Sequence, residues 1–475
     1  MAMHRMLPRL IVACGPWIAI VATIYASAQE PNYFRRDHGR AAADDQPLPA
    51  ELTDEHLVWK TELQEGHSTP LIVGERIYLT TRDGNDLSTV CLDRASGDVL
   101  WKQTVQADEL ERLHPEGSAA SCTCANDGQR VYSFFGSYGL VAYTLDGDPV
   151  WTHRMGPFRD EFGSSSSPIL VDGKLILCED HDLDSFLIAI AAKSGKTVWK
   201  TPRDGFTRSY ATPVVWKLDG RDQIVMAGAL QLVAYDPSDG SPLWSRDGFA
   251  RIVNPTPAAV DGALYVCTWS PGGDTDARIA MEPWSQAIAM WDKDGDGEIG
   301  KSEVPAGPVQ TRFYRIDLND SQSLDEAEWN KYARIFELAQ NVLVALRPDE
   351  PGGQPEVVWE YRRGLSYVPS PLVYRGHVFL AKDGGIVTLL DAATGELVKQ
   401  MRARGGGNCY ASPAGGDNKI YTASKGGVVT VFALDDPLAI VSSRDFGERI
   451  FASPVLHDGW VYIRTDKALY AFGNK

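Results

Sequence analysis

Apolar and polar positions alternate in short runs along most of this chain, and turn residues bound each run. GERIYLT from Gly74, GKLILCE from Gly173 and HVFLAK from His377 read as half-buried strands. The runs fall into a repeating unit. Each unit opens on a Ser/Thr-x-Pro-like entry, continues through an apolar strand and a Gly-containing turn, and closes on Thr/Ser-Gly-x-x-x-Trp or a relic of it. The entries stand at Pro70, Thr123, Pro168, Pro213, Pro257, Pro371, Pro413 and Pro454. The closing tryptophans are Trp59, Trp101, Trp151, Trp199, Trp244 and Trp359; Lys399 holds the place in the sixth unit, and Val441 is the nearest match in the seventh. A period of roughly 40–50 residues with four short strands per unit predicts a β-propeller. The fold class is therefore all-β, an eight-bladed propeller. ALYAFG at 468–473 lacks a following tryptophan, and HLVWKTEL at 56–63 has one but no preceding blade. Pairing the two completes a blade, closes the ring and removes an exposed edge.

The interval from Pro257 to Pro371 is far too long for one blade. It predicts a small α-helical EF-hand insertion at 270–340 in blade five, between propeller segments 56–269 and 341–475. DKDGDGEIGKSE at 292–303 sets Asp292, Asp294, Asp296, Glu298 and Glu303 at the oxygen-donor positions of a calcium loop, with Gly297 at the sharp turn. A hard cation needs six or seven oxygens, and alternate residues of a tight loop aim them inward. A second loop offers Asp317, Asn319, Ser321, Ser323, Asp325 and Glu328. It carries less charge, and Gln322 replaces the turn glycine, at a cost of about 1 kcal/mol in a left-handed conformation. Trp284, Ile288 and Trp291 lead into the first loop at helical spacing; Trp329, Tyr332, Ile335 and Phe336 form one apolar helical face after the second. Calcium is the expected cofactor, in a structural role. Asn319-Asp320-Ser321 matches a glycosylation triplet only by chance.

SGDVLW, LDGDPVW, KSGKTVW and SDGSPLW resemble the tryptophan-docking repeat of pyrroloquinoline-quinone (PQQ) type propellers. The resemblance covers about residues 56–475 and is specific for fold rather than function. It implies that each Trp packs between adjacent blades. The dehydrogenase branch of the family carries adjacent cysteines against the quinone and calcium beside a catalytic Asp in the funnel. This chain has no adjacent cysteines, and its calcium loop is peripheral, so PQQ is not expected. The chain is also similar to the outer-membrane assembly-factor propellers, without a lipid-anchor signal.

The 475 residues carry a formal net charge of −17 with no basic run, which argues against nucleic acid. Arg5 and Arg9, an apolar stretch and Ala26-Ser27-Ala28 predict a signal peptide at 1–28 and hence export, periplasmic or extracellular. Residues 29–55 are expected to form an extended arm over one face. Nothing after the signal reads as a membrane span. Cys91, Cys178 and Cys267 sit in apolar runs, while Cys122 and Cys124 are too close for an easy disulfide within one strand. Asp180, His181, Asp182 and Asp184 read as a solvated turn.

Residues just before each entry should line the funnel: His67, Arg208, Tyr210, Arg251, Asn254, Tyr367, Tyr410, Arg449 and Phe451. Arginines among aromatics suit a planar anion or a peptide. No nucleophile elbow, zinc helix or phosphate loop appears. The reading is a non-catalytic, exported, calcium-binding propeller that binds or scaffolds an unknown protein or glycan. The alternatives are a PQQ-dependent dehydrogenase and a polysaccharide hydrolase or lyase.

Overall fold

Eight four-stranded antiparallel sheets form the ring. The computed structural model describes residues 32–41, 46–274, 278–348, 353–435 and 438–474; the expected signal peptide lies outside them. Blade one is built from Leu71–Val73, Arg76–Asp83, Asp86–Asp93 and Val99–Gln106. Blades two to seven occupy 125–154, 169–202, 214–247, 258–361, 372–402 and 414–445. Blade eight combines Val455–His457, Trp460–Arg464 and Ala468–Gly473 with the N-terminal strand Leu57–Glu62, which pairs Glu62 with Ala468. The two middle strands of a blade are buried on both faces, as in Lys174–Glu179 and Phe186–Ala191, because neighbouring blades cover them. The outermost strand, such as Pro149–Arg154, alternates towards solvent.

The closing tryptophans lock blade to blade. Trp59, Trp101, Trp151, Trp199 and Trp359 each donate an indole N–H to a carbonyl in the next blade's last turn, on Arg94, Leu145, Ala192, Pro237 and Ala392. Lys399, at the tryptophan place of blade six, reaches the equivalent acceptor, Leu438 O, at 2.8 Å. Trp244 bonds instead to Gln223 within its own blade. The indole lies against a glycine of that turn. Gly195 has φ +71°, and a Cβ there would stand 2.7 Å from the Trp151 ring. Gly195→Ala therefore combines left-handed strain with overpacking, an expected loss of about 2–4 kcal/mol. Urea unfolding measures it, and a loss below about 0.5 kcal/mol would contradict the packing argument.

Blade five is interrupted between Ala263–Thr268 and Val342–Pro348, which remain paired. The interruption contains α1 (Trp284–Trp291), α2 (Pro308–Thr311), α3 (Phe313–Ile316), α4 (Glu326–Leu338) and a short ribbon pairing Ile299 with Leu324. Trp329, Phe313, Ile316, Ile299 and Leu324 build its core, which Leu230 of blade four joins. Asp325 caps α4, and Glu328 returns the capping bond. The insert is bound to the propeller by Arg159 Nη1 to Asn319 O at 2.8 Å, Arg315 to Glu161 at 3.0 Å and Lys331 Nζ to Asp204 O at 3.1 Å. No helix among the described residues is long and apolar enough to cross a membrane.

The segment before the first strand crosses one face of the ring. Asn32 bridges to Asn126 of blade two, and Arg35 donates to Pro371 O and Pro413 O of blades six and seven. Further on, Tyr421 and Ser442 donate to the carbonyls of Pro49 and Ala50.

Candidate functional site

The innermost strands bring one hydroxyl residue from each blade to the axis: Thr69, Thr123, Ser167, Thr212, Thr256, Ser370, Ser412 and Ser453. Their side chains and backbones form a closed belt. Thr69 N donates to Thr123 Oγ1, Thr123 N to Ser167 Oγ, and so on through Thr212, Thr256, Ser370 and Ser412 to Ser453, whose N donates back to Thr69 Oγ1. All eight bonds measure 3.0–3.1 Å. The geometry follows from the sequence: in seven units the hydroxyl residue immediately precedes the entry proline, and in the second Thr123 is itself the entry, with Cys124 in the proline's place, so ring symmetry stacks each backbone N–H against the next blade's hydroxyl.

A second ring stands two residues earlier, on the same side of each strand because the pleat repeats every two residues. It consists of His67, Ser121, Ser165, Tyr210, Asn254, Val368, Tyr410 and Phe451. Together the rings line a cavity of about 300 Å³. Phe34 of the N-terminal segment lines one end. At the other, the loop after blade one reaches over the mouth: Glu116 is held by Lys425 of blade seven at 2.8 Å, and His114 packs on Phe162 with ring centroids 4.8 Å apart.

His67, Tyr210, Asn254, Tyr367, Tyr410 and Phe451 line this cavity. His67 stacks on Phe451 at 3.8 Å, and burial pushes its pKa down to about 3, so the ring is neutral. Asn254 donates to Tyr367 O, and Tyr367 meets Trp269 edge-on. The Tyr210 hydroxyl is buried with no partner. The arginines do not line the cavity. Arg208 forms a two-pronged pair with Asp182, Arg251 donates to Pro271 O, and Arg449 pairs with Asp466 at 2.9 Å. The expectation of arginines presented to a planar anion is thus replaced by arginines spent on internal partners. The hydroxyl belt, Phe34, His114 and Phe162 were not among the expected lining residues.

The turn at 180–184 is also corrected in part, because Asp180, His181 and Asp182 are buried rather than solvated, while Asp184 is exposed. Asp180 pairs with Arg203, and His181 bonds Glu179 while stacking on Phe158. Beside them Ser164 Oγ lies 2.8 Å from Glu111 Oε1 and 2.9 Å from Glu179 Oε2. One hydroxyl proton cannot serve two carboxylates, so one acid carries a proton of its own. Burial first, then neighbouring negative charge from Asp160, raises Glu111; burial likewise raises Glu179. A raised folded pKa means stability that is full below the ordinary value of 4.5 and lost as pH climbs through the raised one. Glu111→Gln should therefore gain on the wild type between about pH 5 and about pH 9. Thermal melts across that range test it; parallel curves would contradict it.

In the insert, Asp292, Asp294 and Asp296 each bring one oxygen within 4.8 Å of the others. Asp292 accepts from Gly295 N and Gly297 N, and Glu303 from Lys293 N and Gly300 N. In the second loop Asp317 accepts from Ser321 N and Gln322 N, and Glu328 from Leu318 N and Asn319 N. Gln322 adopts φ +69°. The loops meet where the Ser323 hydroxyl donates to Glu298; Asn319 and Asp325 stand beside the blade-three turn. The six described cysteines are free and buried. Cys122 Sγ faces the carbonyls of Ser164 and Ser166, and Cys124 faces Ser133.

A family model described as outer membrane protein assembly factor BamB matches residues 41–157 and 86–322, together more than half of the chain. The chain belongs to this family. Among solved structures, BamB from Moraxella catarrhalis superposes with TM-score 0.55 at 14% identity, over 88% of this chain and 99% of that one. The computationally designed Ika8 protein gives 0.53 at 9% identity, over 87% and 98%. Both likenesses concern the fold. A quinohemoprotein alcohol dehydrogenase, ADH IIB of Pseudomonas putida, is 22% identical over 369 residues, 68% of this chain and 51% of that protein. The chain thus spans about half the length of that relative.

Proposed function

We propose that the chain is an exported, calcium-binding propeller acting as a non-catalytic binding or scaffolding protein, with the axial funnel as its ligand site. The observation that carries this is the hydroxyl belt roofed by aromatic rings, a preformed cavity with no lysine or arginine among its described lining residues. Export is supported by the signal-like N-terminus and by membership of a family named for outer-membrane assembly.

The 22% identity to a quinohemoprotein dehydrogenase favours a second reading, a quinone enzyme. The residues present do not fit that cofactor. A tricarboxylate needs cations, and no lysine or arginine lines the cavity among the described residues; Lys425, over the Tyr410 ring, is taken by Glu116. A hydrolase would need a histidine polarised by an acid; His67 instead stacks on Phe451. Incubation with PQQ and calcium followed by a dye-linked alcohol or sugar oxidation assay tests the reading. No turnover above blank is expected, and quinone-dependent turnover would overturn it.

Asp292, Asp294, Asp296, Glu298 and Glu303 would hold calcium in the first loop, and Asp317, Asn319, Ser321, Ser323, Asp325 and Glu328 in the second. The converging oxygens of the Asp triplet, the left-handed turn residue in both loops and the ribbon between them support this. Calcium would neutralise like charges and stiffen an insert fastened to the propeller by Asn319 and Arg315.

A further inference from the structure

The funnel's donors, walls and charge together restrict what can occupy it. None of the eight belt hydroxyls donates to a protein acceptor among the described residues. Each accepts a backbone N–H and keeps its own proton free. Above the belt the Tyr210 hydroxyl is buried without a partner, a state that is costly unless something supplies one. Between these polar groups the wall is aromatic: Tyr210, Tyr367, Tyr410 and Phe451, with His67 stacked behind Phe451. Among the described lining residues Glu116 is the one acid, bound by Lys425, and there is no lysine or arginine. Phe34, from the segment that crosses the ring face, lines the far end.

We propose that the funnel receives the uncharged end of a carbohydrate chain, one or two neutral sugar rings. This rests on the reading of the funnel as the ligand site. A pyranose has apolar C–H faces that lie on aromatic rings and a rim of hydroxyls that exchange hydrogen bonds with the belt and Tyr210. A hydrocarbon tip would leave the belt protons unanswered. A peptide terminus or a uronic acid would enter with a charge that nothing in the wall compensates. The volume of about 300 Å³ admits a disaccharide but no folded partner.

Isothermal titration of the full chain with neutral gluco-, xylo-, manno- and galacto-trisaccharides, against matched uronic-acid oligosaccharides and a tripeptide, tests the proposal. At least one neutral trisaccharide should bind. Tyr210→Phe, which keeps the ring and removes only the orphan hydroxyl, should weaken it about tenfold. Tyr410→Leu, which removes a stacking face, should weaken it at least as much, with circular dichroism confirming that each variant is folded. Failure of every neutral probe, or equal binding by both variants, overturns the proposal. Tripeptide binding that Tyr210→Phe weakens overturns the carbohydrate assignment, and uronide binding that it weakens overturns the neutral-sugar assignment; either leaves the funnel as a binding site. Quinone-dependent turnover would instead remove the reading beneath it.

Discussion

Arg203→Met should unfold at a markedly lower urea concentration than the wild type, with a loss of about 3–5 kcal/mol. Arg203 Nε and Nη2 meet Asp180 Oδ1 and Oδ2 at 2.7 and 2.8 Å, and both side chains are fully buried. The guanidinium also lies 3.7 Å from the Phe206 ring centroid and bonds the Tyr235 hydroxyl. Removing the cation leaves a carboxylate in an apolar wall with nothing to offset its desolvation. Asp180→Asn leaves the opposite charge stranded and should cost a similar amount. The double variant Arg203→Met/Asp180→Asn should lose clearly less than the two singles summed, because it strands neither charge. Urea midpoints for the four proteins decide it; additive losses would show that the pair does not act as a unit.

Chelation of calcium should lower the melting temperature, and Glu303→Ala should remove most of that dependence. A ligand held only by the native state stabilises by about 2.7 kcal/mol when its concentration is 100-fold above Kd. Glu303 is the distal bidentate position of the first loop, and its two oxygens already accept from Lys293 N and Gly300 N, at 2.7 Å each. The loop backbone therefore already holds the Glu303 carboxylate in place. Glu328→Ala tests the second loop, but it also removes the returning bond of the α4 capping box, so its melt must be compared with and without calcium. Identical calcium-dependent shifts in wild type and Glu303→Ala would sink the assignment of the first loop.

Much of the ring was legible because one unit recurs. A hydroxyl near each entry and a Gly four residues before Trp101, Trp151, Trp199 and Trp244 are local signals, and Gly195, which belongs to the Trp199 motif, lies against Trp151 of the preceding blade. Ring closure was legible because the first and last strands were each half a pattern. The site was less so. His67, Tyr210, Tyr410 and Phe451 stand two residues before the belt and share its side of the pleat. Arg208 and Arg449 stand four before it and Arg251 five before, beyond the funnel wall. Their partners, Asp182, Asp466 and Pro271 O, are fixed by how strands and loops pack. The sequence around 180–184 looked solvated for the same reason: Arg203 and Arg208, which make burial tolerable, lie a strand away.

The central claim is that the funnel is an uncharged binding cavity rather than a quinone site. Equilibrium dialysis of the purified mature chain against PQQ, with calcium present, tests it most directly. The account predicts no saturable retention of the quinone. Tight, one-to-one retention would contradict it and make the chain a quinoprotein.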